Sequence, residues 1–176
     1  MRKFFDDAPH DCPWADAWRA VDGGLVTVTI DNHLTGWQQV RGWEKEYPEF
    51  ALPLFSKSRF IAFGCDWTDK SNRMGMRMRV TCDDRQSVRD IHLAAMTLLS
   101  YWPAAFLQAG EGTAVYYKRI LQFFSSVRVQ PSAEEASEHY VHLSADVGWE
   151  KQEFVEVLRQ TWGYMSDLPA EPPSTD

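Results

Sequence analysis

Three stretches in the first half of the chain place apolar side chains on every second residue. In residues 25–30, Val26, Val28 and Ile30 alternate with Thr27 and Thr29, the period of a half-buried strand. Residues 59–67 and 73–82 alternate in the same way around the polar segment 68–72, which predicts a hairpin. Pairing Ile61 with Val80, Phe63 with Met78, Cys65 with Met76 and Trp67 with Met74 gathers every large apolar side chain on one face. A slip of one residue would set arginines against Phe63 and Ile61, so this register is the expected one. The opposite face then carries Ala62, Gly64, Asp66, Gly75, Arg77 and Arg79, with Asp66 diagonally within reach of Arg77.

Elsewhere the spacing is helical. Pro13 suits a first helical position, beside Cys12 as N-cap, with Trp14, Ala17, Trp18 and Val21 on one face and Asp22-Gly23-Gly24 as the stop. A short helix closing before Pro48 is expected within residues 35–50. Ser87 with Asp90 forms a capping-box pattern ahead of the stripe Val88, Ile91, Ala95, Leu98 and Trp102, which should stop at Pro103. Tyr117, Ile120, Leu121 and Phe124 predict a second helix, Ser132 with Glu135 caps a third, and Val155, Leu158, Trp162 and Met165 align along a fourth. The fold class expected is α+β: a small antiparallel sheet containing the 59–67/73–82 hairpin, covered by helices on one face, and a helical C-terminal half. Residues 1–166 are expected to form one domain, and the proline- and acid-containing residues 167–176 a flexible tail.

Composition narrows the function classes. The start of the chain has no apolar core of a signal peptide, and the most apolar run, residues 93–107, is shorter than a bilayer span; a cytoplasmic protein without a membrane partner is expected, with that run a buried helix. Three cysteines, Cys12, Cys65 and Cys82, form no C-x-x-C pair, which argues against a disulfide framework and a zinc ribbon. In the hairpin register Cys65 and Cys82 lie on the order of 20 Å apart, beyond disulfide reach. Eight tryptophans are expected mainly in the core, and an exposed one would mark an interface anchor.

The chain carries a formal net charge of -7, yet residues 57–89 hold eight bases against four aspartates. Lys57, Arg59, Arg73, Arg77 and Arg79 are therefore candidate contacts for a protein partner or a nucleic acid, against the simpler reading of a strand's solvated face. Both flanks are acidic, with nine acids against five bases in the first 50 residues and eleven against five in the last 76, a pattern suited to docking on a basic protein surface. Glu135, Glu138, His139 and His142, taken as one helix, would converge as a metal site, although they match no established motif. The cluster His10, Asp11 and Cys12, with His33 elsewhere, is no nucleophile–base arrangement by spacing, and Gly110 to Thr113 lacks the lysine of a phosphate loop. No cofactor is expected. The function expected is non-enzymatic protein binding, as an acidic inhibitor or immunity-type partner of a nucleic-acid-handling or toxic enzyme. The alternatives are a nucleic-acid-contacting subunit of a ribonucleoprotein, a metal-dependent enzyme, and a homo-oligomeric virion-type structural protein.

Overall fold

The computed structural model describes residues 12–22, 25–32, 48–68, 73–109 and 114–150, with 152, 153 and 155. The elements are α1 (Ala15–Val21), β1 (Val26–Asp31), a 3-10 turn (Glu49–Ala51) leading into the short α2 (Pro53–Ser56), β2 (Phe60–Thr68), β3 (Arg73–Cys82), α3 (Arg85–Ala109), α4 (Ala114–Ser126), β4 (Arg128–Pro131) and β5 (His139–Val147). The strands form one sheet in the order β1-β2-β3-β5-β4, every neighbouring pair antiparallel. The fold is thus α+β, as the sequence predicts.

The hairpin register is the one that segregates apolar from polar side chains: Ile61 faces Val80, Phe63 faces Met78, Cys65 faces Met76 and Trp67 faces Met74. One side of the sheet becomes the main core. Val88, Ile91, Ala94 and Leu98 of α3 pack there on Ile61, Val80 and Val141, while Tyr116, Ile120 and Phe123 of α4 pack around Met74, Val147 and Trp149. The α4 stripe is therefore turned about one residue from the expected one, with Leu121 exposed and Tyr116 buried. Coverage stops short of the sheet's β1 end, where Val26 is 50%, Val28 47% and Phe63 38% exposed.

Among the described residues, the other side carries α1 alone. Ala17 and Val21 meet Phe60 and Ala62, and a Cβ placed on Gly64 would lie 1.7 Å from the Val21 carbonyl oxygen. Glycine at 64 is what lets the helix backbone rest on the strand. The N-cap of α1 is Trp14, not Cys12; the Cys12 carbonyl instead accepts the Ala15 N–H at 2.9 Å, closing the entering turn.

Several sequence expectations change. The N-cap of α3 is Asp84, three residues before the Ser87/Asp90 box: its carboxylate accepts the Ser87 N–H at 2.8 Å, and this contact and the Ser87 hydroxyl hold its carboxyl below the usual aspartate range. The helix runs through Pro103, which forgoes one backbone bond while the flanking turns persist. Its apolar run is one-sided and not wholly buried, with Leu93 68% and Met96 46% exposed. No third helix starts at Ser132; residues 132–138 are a loop between β4 and β5, where Val141, Leu143, Ala145 and Val147 alternate toward the core. The expected helix within 35–50 falls largely outside the described residues, as do most of the one at 149–165 and the 167–176 tail.

Two of the three free cysteines are buried. Burial, with Asp84 and Asp83 close by, pushes the Cys82 thiol up to about 12, and burial and Asp66 push Cys65 up as well. The thiolate is the reactive form, so in native protein at pH 8 both should resist a thiol reagent, whereas unfolded protein should label at all three cysteines. Peptide mass spectrometry after alkylation with and without urea reads the difference; rapid native labelling at Cys82 would refute it.

Candidate functional site

The polar side of the sheet brings together side chains from four strands. β3 contributes Arg73, Arg77 and Arg79, and β2 contributes Asp66. β5 contributes Tyr140, His142, Ser144 and Asp146, and β4 contributes Arg128 and Gln130. All share one face because directly opposed residues of neighbouring strands point to the same side of the sheet, as does every second residue along a strand.

Three of the candidate arginines are paired on this face. Arg73 donates to Asp146 at 2.8 Å, and Arg77 lies 3.3 Å from Asp66, the diagonal neighbour expected from register. Arg79 pairs with Glu138 and is stacked 3.7 Å from the centroid of the Tyr140 ring, which leaves its side chain only 13% exposed. Gly75 makes room for this network: a Cβ there would lie 2.1 Å from the Asp66 carboxylate, which reaches across the strand. The other two candidates sit apart. Arg59 bridges to Asp83 at 3.6 Å beyond the end of the row, and Lys57 pairs with Asp90 of α3, away from the polar face.

Two hollows lie along this face. One, of about 590 Å³, is lined by Arg73, Arg77 and Arg128, by Asp66 and Asp146, and by Ser144 beside the end of α4. The other, of about 270 Å³, lies against the start of α1 and is lined by Arg59 and Arg79 together with Asp16, Asp83 and Glu138. Counting arginines against carboxylates, the first carries one net positive charge and the second one net negative charge. The face is bipolar.

Glu135, Glu138, His139 and His142 do not converge. Glu135 and Glu138 lie in the loop before β5, while His139 and His142, three residues apart on a strand, project to opposite sides of the sheet. Among the described residues no group of three or more His, Cys, Asp or Glu is placed to hold a metal ion. Of the tryptophans, Trp149 is buried and Trp102 is 40% exposed at an apolar groove between α3 and α4, with Leu99, Phe123 and Phe124. Trp37, Trp43 and Trp162 lie outside the described residues. Among the described residues no helix is long and apolar enough to cross a membrane.

No protein-family model matches this chain, and no curated protein or solved structure matches it significantly.

The chemistry of the face therefore rests on its own residues. Arg128, Ser144 and Tyr140 are members that the basic segment did not reveal, since they join it only through the pairing of β5 with β3 and β4. The signal that could have found them is the alternation of residues 141–147, which has the period of a strand and not of a helix.

His142 sits opposite Arg79 and Gln130 on this face. Burial first, then the charges of Arg79 and Arg77, hold its imidazole below the usual histidine value. The unfolded chain then binds a proton more readily than the native one, so His142 should make stability fall as pH drops below about 6.5, levelling off below its native value. Urea midpoints at pH 8 and pH 5.5 for the wild type and His142→Gln test this: the variant should lose part of the dependence, and an unchanged slope would refute the assignment.

Proposed function

We propose that this chain is a non-enzymatic protein-binding protein that works through the polar face of its sheet, as an acidic inhibitor or immunity-type partner of a nucleic-acid-handling or toxic enzyme. The observation that carries this reading is the internal pairing of Arg73, Arg77 and Arg79 with Asp146, Asp66 and Glu138. A nucleic-acid backbone is held by a broad positive field and unpaired cations. Here the arginines are neutralised where they stand, and a polyanion extended along the face would meet Asp16, Asp83 and Glu138 at its far end. Arginines pre-ordered by acids and an aromatic ring suit a mixed-charge protein surface, where they fix register at low entropic cost. The net charge of -7 supports a basic partner as the thing steered.

The test is affinity capture from the native host with the wild type and with the double variant Arg73→Glu, Arg77→Glu. The expected result is one stoichiometric protein whose recovery falls about tenfold or more in the variant. Purified partner assayed for nuclease or related activity should then be inhibited by the wild type. Co-purifying nucleic acid that disappears in the variant, with no protein partner, would overturn the proposal in favour of direct nucleic-acid contact.

A further inference from the structure

The register of β3, β5 and β4 sets three donors in one row across the polar face: Arg77 opposite Ser144, and Ser144 opposite Arg128. With strands about 4.8 Å apart, the two arginine Cα atoms stand about 10 Å from each other with the serine between them. That is wide enough for one small anion to be gripped from both sides. Among the described residues Arg128 and Ser144 make no side-chain hydrogen bond or ion pair, in contrast to the engaged Arg73 and Arg79. Arg77 is engaged by Asp66 at 3.3 Å, but a guanidinium has five N–H donors, and one carboxylate leaves some of them available.

We infer that Arg77, Ser144 and Arg128 form a carboxylate-binding notch that receives an aspartate or glutamate side chain of a protein partner. The choice of anion follows from the charges around the hollow. Three arginines face two aspartates, Asp66 and Asp146, so one negative charge is compensated and a second is not. A phosphate dianion would lie against both aspartates. A carboxylate brings one charge and two coplanar oxygens, which match a guanidinium fork on one side and a hydroxyl on the other. The hollow of about 590 Å³ is open and takes a side chain still attached to its protein. The source of the carboxylate rests on the protein-binding reading above; the notch itself does not.

The experiment uses the full-length 15N-labelled chain at fixed ionic strength. N-acetyl-glutamate α-amide, inorganic phosphate and a single-stranded oligonucleotide are titrated separately, with the Ser144 amide and the Arg77 and Arg128 Nε–H signals followed by NMR. Saturable shifts of all three with the glutamate probe, weakened about tenfold by Arg128→Gln while the remaining spectrum keeps its dispersion, are expected. The absence of saturable shifts overturns the notch, as does tighter binding of phosphate or oligonucleotide at the same signals, or an Arg128→Gln variant that binds like the wild type. Ser144→Ala provides a second variant that keeps every charge and should weaken the probe less than Arg128→Gln does. Partner capture with Arg128→Gln separates the two readings. Capture that falls with probe binding places the partner's carboxylate in the notch, whereas undiminished capture overturns that placement and leaves the protein-binding reading intact.

Discussion

Gly64→Ala is expected to destabilise the protein by about 3 kcal/mol, the upper range for forcing extra atoms into a packed site. The added methyl would lie 1.7 Å from the Val21 carbonyl oxygen and 2.7 Å from its carbon. Both obstacles are backbone, so no rotamer change relieves the clash. Either α1 lifts from β2 or β2 leaves its register, and the register is held on both sides by β1 and β3. The helix should therefore move. Urea unfolding reads the stability loss, and the fluorescence of the Trp14–Trp18 pair, whose rings are 6.0 Å apart, reads the displacement. A variant as stable as the wild type would show that α1 does not bear on Gly64 in solution.

Ile91→Ala should cost a similar amount, about 3 kcal/mol, for the opposite reason. Ile91 is fully buried among Leu54, Val80, Val88 and Val141, where α3 crosses the sheet. Removing three carbons there leaves a space walled by strands and helix, with little freedom to collapse. Gly64 meets Val21 on the α1 side of the sheet, whereas Ile91 belongs to the core cluster on the opposite side. Their effects should add to within about 0.5 kcal/mol in the double variant, and a large departure would mean that the two layers are coupled through β2.

What could be read from the sequence was local. The hairpin could be paired residue by residue because both of its strands alternate and only one register keeps arginines away from Phe63 and Ile61. The stripe of α3 was legible because Val88, Ile91, Ala95 and Leu98 repeat at helical spacing over about three turns. Arg77 and Asp66 were legible as a pair because register fixes diagonal neighbours. β5 was not. The residues before it, Glu134 to Glu138, favour a helix by composition, and His139 and His142 stand at a spacing that also suits one. The alternation of Val141, Leu143, Ala145 and Val147 prevails because β3 offers a strand edge and two helices cover the resulting face. That edge is remote in sequence, so no window around residue 140 contains it. The candidate site is obscured in the same place: Lys57 and Arg59 are near the β3 arginines in sequence but pair elsewhere, while Arg128 and Ser144 are near them only in space.

The central position of β3–β5 pairing has a consequence for how the molecule is made. Cys82 meets His139 only after both long helices have been synthesised, so the sheet is completed by closing a loop that contains them. A nascent or truncated chain ending at α4 presents β3 as a bare edge strand, with Met74, Met76, Met78 and Val80 awaiting their neighbours. Such a fragment is a sticky template for other chains. It also has only Arg77 of the row that Arg77 shares with Ser144 and Arg128, so recognition through that row begins only when β4 and β5 are in place.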